Sequence, residues 1–272
     1  MAGVSLGFPE LLRNRREARG GQFTGRIKRA VMYHMIEEKL SVRDKFRLLQ
    51  DLGYDGVEIR RPSGPDPQEV VAAREATGFT IHGITNSSSA DIRGAIALAK
   101  LYGAGTVLLV AGRVNEQNPY DKNYEETQQR IRDATAYAEQ HGIKLLVENV
   151  WNNFLLSPLE MARYIDELAS PWVGAYFDIG NVLRYGWPEQ WIRILGKRIG
   201  KIHIKDYSRK EEKEGSGRGF NVGIGEGDCD WPAVRKALAE IGYSGWATAE
   251  VAGGDRARLA DVAQRMGRVL DL

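Results

Sequence analysis

Several features are scarce in this 272-residue chain, and each scarcity excludes a class of protein. A single cysteine, Cys229, excludes an internal disulfide framework and any CxxC metal or redox motif. No apolar run approaches the roughly 18 residues of a membrane-spanning helix, so we expect no membrane partner. Lys and Arg (38) nearly balance Asp and Glu (36), and this net charge of +2 excludes a strongly basic nucleic-acid-binding protein. A reducing, cytoplasmic location is the expectation for such a chain.

The first 28 residues differ in composition from the remainder. They contain a Gly20-Gly21 pair, two glutamates and six basic residues, and they lack the apolar stretch of a secretory signal. We therefore expect an N-terminal basic extension over residues 1–28 and one catalytic domain over residues 29–272. The extension is either a solvated arm or an arm that binds a partner or stabilises a homodimer or homotetramer, and the sequence leaves these alternatives open.

From residue 29 onwards, short β-branched or apolar runs alternate with longer stretches of helical period. The predicted strands are Arg29–Ile36, Gly56–Arg60, Thr80–Thr85, Thr106–Ala111, Ile143–Asn149, Val173–Asp178, Lys201–Asp206 and Trp246–Val251. Eight strand–helix units in series predict an α/β fold, a single (β/α)₈ TIM barrel. A doubly wound sheet would use fewer strands and a glycine-rich turn after the first strand, and no such turn follows Ile36.

Residues that carry function in a TIM barrel lie at the C-terminal ends of the strands. Glu148, Asp178 and Glu250 lie at or near the ends of predicted strands five, six and eight, and His203 lies in the middle of strand seven. Period-two alternation is consistent with all four side chains pointing inward. Three neighbouring carboxylates would repel one another without a cation, so the pattern predicts one divalent metal ion. This mainly hard ligand set suits Mn²⁺ or Mg²⁺, with Co²⁺ and Zn²⁺ as alternatives.

The chain resembles the xylose isomerase-like TIM-barrel sugar (phosphate) isomerase/epimerase superfamily over about residues 29–270. The motifs that carry the resemblance are Leu-Val-Glu148-Asn149, Phe-Asp178-Ile-Gly-Asn181, Lys-Ile-His203-Ile-Lys205-Asp206, Gly225-Glu226-Gly227-Asp228-Cys229-Asp230-Trp231 and Ala-Glu250-Val. The combination is typical of the superfamily but does not name a substrate.

The resemblance implies that Glu148, Asp178, His203 and Glu250 hold one divalent metal, and relatives such as D-tagatose 3-epimerase imply that two of them also do the chemistry. In that scheme the metal binds the substrate carbonyl and the neighbouring hydroxyl. One of Glu148 and Glu250 removes the proton next to the carbonyl, and the other returns a proton from the opposite face. Which glutamate is the base stays open.

Comparison with the same epimerases also implies substrate contacts, and these agree only in part. The arginine that follows the strand-seven ligand by six residues is present as Arg209. Asn181 replaces a histidine, and Phe154 replaces a glutamate. These two replacements argue against a free ketohexose as the substrate, and they leave the prediction of the metal site unchanged.

Further candidates for substrate binding lie near the predicted strand ends. Trp151 could stack on a sugar ring, and Lys205 could hold a phosphate or carboxylate or form an ion pair instead. His82 is expected in the layer of the metal site, whereas Glu58 either faces the substrate or forms an ion pair with a basic residue of the barrel.

Four functions are compatible with such a barrel. A metal-dependent sugar epimerase or isomerase is the first, acting on a small-molecule sugar through an enediolate. The second is a lyase or hydrolase that removes the same α-proton from a keto-sugar or 3-keto-glycoside and then expels a leaving group. An abasic-site endonuclease with three zinc ions would need more than the four histidines present. A non-catalytic sugar-binding protein would not need all four ligands intact.

Overall fold

Eight parallel strands form a closed barrel in the computed structural model, which describes residues 20–87, 89–213 and 216–272. The strands follow one another around the barrel in chain order, which confirms the predicted (β/α)₈ fold. They are β1 (Ile27–Met32), β2 (Gly56–Arg60), β3 (Thr80–Asn86), β4 (Thr106–Leu109), β5 (Lys144–Glu148), β6 (Val173–Asp178), β7 (Ile199–Ile204) and β8 (Gly245–Ala249).

The helices surround the barrel, and their ends carry the expected capping residues. Asp66, Asp91 and Ser157 each accept a backbone N–H in the first helical turn, and glycines in the left-handed conformation follow α2, α3 and α4. The helices are α1 (Val42–Asp51), α2 (Pro67–Thr77), α3 (Ile92–Tyr102), α4 (Tyr120–His141), α5 (Pro158–Asp166), α6 (Ile179–Val182), α7 (Pro188–Leu195), α8 (Trp231–Glu240) and α9 (Arg256–Leu270).

Two strands differ from their predicted bounds in a way that affects the site. β1 ends at Met32, and Tyr33–Met35 form a 3₁₀ turn, because pairing with β8 stops where Val31 meets Ala249. β7 begins and ends two residues earlier than predicted. His203 is therefore the next-to-last residue of its strand rather than its midpoint, close to the end where functional residues are expected.

Residues 20–28, which we assigned to the N-terminal extension, are part of the barrel's closure in the structure. The Phe23 side chain is fully buried in the main core, and its backbone N–H donates to Asp271 O at 3.1 Å. β1 itself begins at Ile27. The rest of the predicted extension, residues 1–19, lies outside the described residues.

The barrel interior contains polar groups as well as apolar ones. A large apolar core includes residues of both the strands and the helices, and a separate small group consists of Leu108, Leu146 and Tyr176. Tyr176 on β6 hydrogen-bonds to Glu58 on β2 and to Thr248 on β8, so these side chains meet inside the closed barrel. Among the described residues, no helix is both long and apolar enough to cross a membrane.

Candidate active site

Four side chains converge at the C-terminal end of the barrel. Glu148 and Asp178 are the last residues of β5 and β6, His203 is next to last in β7, and Glu250 directly follows β8. One potential ligand atom from each lies within 4.8 Å of the others. Glu148, Asp178 and His203 are buried and Glu250 is partly exposed, so the cluster opens toward solvent on one side.

The imidazole of His203 directs one nitrogen at all three carboxylates. Its Nδ1 lies 2.7 Å from Glu148 Oε1, 3.6 Å from Glu250 Oε2 and 3.7 Å from Asp178 Oδ2. Since β5 and β8 flank β6 and β7, Glu148 and Glu250 approach from opposite sides of the Asp178–His203 pair. Two carboxylates placed in this way can reach opposite faces of a molecule bound between them.

Local hydrogen bonds fix Asp178 so that only one of its oxygens faces the cluster. Oδ1 accepts the Asn181 N–H at 2.8 Å and so caps the short helix α6. Asn149 exchanges two hydrogen bonds with the Asp178 backbone, at 2.8 and 2.9 Å. The buried Oδ2 faces the cluster, where the Lys205 ammonium lies 2.8 Å from it.

The ammonium group of Lys205 contacts two of these carboxylates. Its Nζ lies 2.8 Å from Asp178 Oδ2 and 2.8 Å from Glu250 Oε2, which is the ion pair that we considered as the alternative to an anion anchor. Although burial opposes it, Lys205 holds the pKa of Glu250 below its usual value, with help from His203 and Arg60. Burial raises the pKa of Glu148, with a contribution from the neighbouring carboxylates. The pKa values of the two glutamates are therefore shifted in opposite directions, upward for Glu148 and downward for Glu250.

The cluster has the composition and the spacing of a divalent cation site. Ligand bonds of about 2.2 Å on opposite sides of an ion place the two ligand atoms about 4.4 Å apart, so only small movements would close this cluster on an ion. Three carboxylates and one imidazole suit Mn²⁺, Mg²⁺, Co²⁺ or Zn²⁺. The buried Asp178 Oδ2 supports the same conclusion, because it already faces a cation, the Lys205 ammonium, so the residues present fit such an ion.

A cavity of about 750 Å³ opens onto this cluster. Glu148 and Glu250 line it, as do three of the predicted substrate contacts, Trp151, Asn181 and Lys205. The other lining residues come from helix α4 (Arg130) and from the ends of β2, β3, β4, β5 and β7 or the loops that follow them: Arg60, Thr85, Ser87, Ser89, Ala90, Val110, Gly112, Arg113, Val150, Asn152 and Phe220. The volume is in the range of ligand-binding cavities.

Neighbouring groups hold Trp151 at the edge of the cavity. Its indole Nε1–H donates to Asn181 O at 2.9 Å, and its ring lies 5.0 Å from the Phe220 ring, centroid to centroid. The Arg184 guanidinium covers the ring at 4.6 Å. An aromatic surface fixed in this way is suited to contact the apolar face of a sugar.

Three predicted substrate contacts lie elsewhere. Arg209 donates to Gly186 O at 3.0 Å and lies over the Trp187 ring, and it does not line the cavity. His82 stacks on Trp246 at 4.4 Å and lies within hydrogen-bonding distance of Lys201 and Thr248 inside the barrel. Glu58 is also fully buried in the barrel interior.

The sequence interpretation did not identify Arg60, Arg130 or Phe220 as cavity residues. Arg60 follows Glu58 by two positions at the end of β2, and its Nη2 lies 3.5 Å from Glu250 Oε1. Its place at a strand end was a usable signal. No signal marked Arg130, in the middle of α4, or Phe220, in the loop after β7, because their positions depend on tertiary packing.

The comparisons with known proteins agree with this fold. The family model described as a xylose isomerase-like TIM barrel matches residues 46–269. The chain belongs to this family. It is 31% identical over 156 residues to a putative L-ribulose-5-phosphate 3-epimerase, SgbU, of Escherichia coli strain K12; the match covers 56% of this chain and about half (53%) of that relative.

Two solved structures show the same fold at lower identity. An L-ribulose 3-epimerase superposes with a TM-score of 0.72 at 15% identity, covering 90% of this chain and 95% of the other. The IolI protein with a bound zinc atom superposes with a TM-score of 0.76 at 17% identity, covering 89% of this chain and 98% of the other.

Proposed function

We propose that this protein is a divalent-metal-dependent sugar epimerase or isomerase, in which Glu148 and Glu250 exchange protons with a carbon next to a carbonyl group. The observation that carries the proposal is the placement of these two carboxylates. They line one cavity from β5 and from the end of β8, on either side of Asp178 and His203. The printed names of the relatives, a putative pentulose-phosphate 3-epimerase and an L-ribulose 3-epimerase, support the same reaction class.

The chemistry follows from the arrangement of the side chains. One of the two glutamates, as a carboxylate, removes the proton from the carbon next to the carbonyl, and the C–H electron pair forms the enediolate double bond. The other, as a carboxylic acid, donates a proton to that carbon from the opposite face, which inverts its configuration. When bound, a divalent cation supplies stabilisation of the negative charge that develops on the substrate oxygens. We propose Glu148, Asp178, His203 and Glu250 as its ligands and Mn²⁺ as the ion.

The remaining cavity residues determine how the sugar is held. We propose that Trp151 contacts the sugar and that Asn181 shapes the wall beside it. Lys205 pairs with the carboxylates of the site rather than with a phosphate or carboxylate of the substrate, since its Nζ contacts Asp178 and Glu250. Arg113 and Arg130 also line the cavity and would suit an anionic substituent such as a phosphate. Phosphorylated ketoses therefore belong among the substrates to be tested.

Solvent isotope exchange tests the proposal. The Mn²⁺-loaded protein would be incubated in D₂O with free ketoses, phosphorylated ketoses and 3-keto-glycosides, and NMR would identify the carbon that gains deuterium. We expect exchange next to a carbonyl that is abolished in Glu148→Gln and in Glu250→Gln but unchanged in Glu139→Gln, an exposed control on α4. Exchange that persists in both site variants would contradict the assignment. Elimination products without an epimer would favour the lyase alternative.

A further inference from the structure

Glu58 is a buried carboxylate that the proposed proton chemistry does not use. Its side chain is fully buried, and no Lys or Arg among the described residues forms a direct ion pair with it, although the Lys201 ammonium in the same interior helps to lower its pKa. Oε2 accepts the Tyr176 hydroxyl at 2.7 Å and lies 3.4 Å from His203 Nε2, whereas Oε1 has no hydrogen-bond partner among the described residues. Burying a carboxylate in this way is costly, and the cost calls for a function.

The backbone is shaped to place Glu58 under the metal cluster. The β2–β3 register shifts between Val57 and Glu58, where β3 carries one extra residue, His82, and such irregularities increase the local twist of the paired strands. The glycine at position 83 leaves the space that the carboxylate fills, because a Cβ there would lie 2.8 Å from Glu58 Oε1. Two local features thus serve the same buried side chain.

The two ring nitrogens of His203 face different groups. Nδ1 faces the three carboxylates of the cluster, and Nε2 faces Glu58 on the opposite side of the ring. A neutral imidazole that carries its proton on Nε2 keeps a lone pair on Nδ1. A hydrogen bond donated by Nε2–H to an acceptor selects this tautomer.

We propose that Glu58 is a positioning residue of the metal centre, which accepts the Nε2–H of His203 and thereby presents the Nδ1 lone pair to the cation. The inference rests on the proposed function, because it assumes that the cluster binds a metal. It replaces the expectation that Glu58 contacts the substrate or a basic residue of the barrel.

Tyr176 completes the arrangement from the opposite strand. Its hydroxyl fixes Glu58 Oε2, and its ring lies against the His203 ring with centroids 4.2 Å apart. Thr248 Oγ1 lies 3.1 Å from the same hydroxyl. Glu58 therefore contacts the edge of the His203 ring and Tyr176 contacts its face, and the two together fix the orientation of the ring.

Calorimetric titration of the metal-stripped full chain with MnCl₂ and with ZnCl₂ tests the inference without any substrate. Loss of an outer partner of a histidine ligand weakens metal binding by about 10–100-fold, and we expect a loss of this size for Glu58→Leu. Glu58→Gln should lose less, because its amide oxygen can still accept the Nε2–H. Thr106→Val is the matched control. This substitution removes a buried hydroxyl that contacts Lys201 and the backbone oxygen of His82, and the metal affinity of the variant should equal that of the wild type.

A spectroscopic readout separates positioning from a general loss of stability. In the Zn²⁺-loaded wild type, ¹⁵N NMR should show His203 protonated at Nε2, with a slowly exchanging proton that is absent in Glu58→Leu. Equal metal affinity in Glu58→Leu and the wild type would overturn the inference while leaving the proposed function intact. A wild-type protein that binds neither metal would overturn the metal-dependent function itself.

If Glu58→Leu does not fold, Glu58→Gln and Tyr176→Phe, which nearly preserve volume, should show smaller losses of affinity in the same direction. Unchanged affinity in both would also overturn the inference.

Discussion

Replacing Asp206 with alanine should release the loop after β7 from the barrel. The Asp206 side chain is buried and accepts four hydrogen bonds at 2.9–3.2 Å, from the backbone N–H groups of Tyr207, Gly225 and Cys229 and from the Trp231 indole. Three of these donors lie 19 to 25 residues further along the chain. One carboxylate therefore joins the end of β7 to the start of α8.

The magnitude follows from these contacts. A hydrogen bond to a charged group contributes about 1.5–3 kcal/mol, but the freed donors regain part of this from water. We therefore expect Asp206→Ala to lower the free energy of unfolding by about 3–5 kcal/mol, a large effect for one substitution. At roughly 2–4 °C per kcal/mol for a protein of this size, even the lower figure lowers the Tm by about 6–12 °C.

Differential scanning calorimetry of the variant and a matched control would measure this effect. Asp228→Ala is the control, because Asp228 is exposed and accepts one backbone N–H, from Arg209. Its loss should cost about 0.5–1.5 kcal/mol. A Tm for Asp206→Ala no lower than that of Asp228→Ala would refute the reasoning.

Three further outcomes are expected. Gly83→Ala should lower the Tm, because a Cβ at this position would lie 2.8 Å from Glu58 Oε1 and 3.0 Å from Lys201 Nζ. Gly105→Ala is the control and should leave the Tm unchanged, because a Cβ there would meet no described atom within 4 Å. Equal Tm values for the two variants would contradict this packing. Burial raises the pKa of the Cys229 thiol, so at pH 8 it should react with a disulfide reagent far more slowly in the native protein than in urea, and equal rates would show that the thiol is accessible. A divalent ion at 100 times its Kd should stabilise the protein by about 2.7 kcal/mol, and a chelator should reverse the accompanying rise in Tm; no shift in either direction would argue against specific binding.

The fold and the convergence of the four clustered side chains were predictable because both depend on regular features of the sequence. Alternating strand and helix periods identify the barrel, and parallel strands bring their C-terminal ends to one face. Glu148, Asp178 and Glu250 lie at or directly after such ends, so their convergence follows from strand position alone.

The depth of a side chain inside the barrel was not predictable in the same way. It depends on the stagger of neighbouring strands, which local sequence does not encode. Glu58 was expected to face either the substrate or a basic residue of the barrel, and His82 to lie in the layer of the metal site. Both lie in the barrel interior, beside the register shift between β2 and β3. Arg209 could not be placed because its position depends on how the loop after β7 folds onto Gly186.

Anomalous diffraction from a crystal grown with manganese tests the central claim most directly. We expect one strong peak per chain, with the carboxylate oxygens of Glu148, Asp178 and Glu250 and Nδ1 of His203 all about 2.0–2.4 Å away. An absence of density at this position, or a peak bound by other residues, would contradict the account of the site.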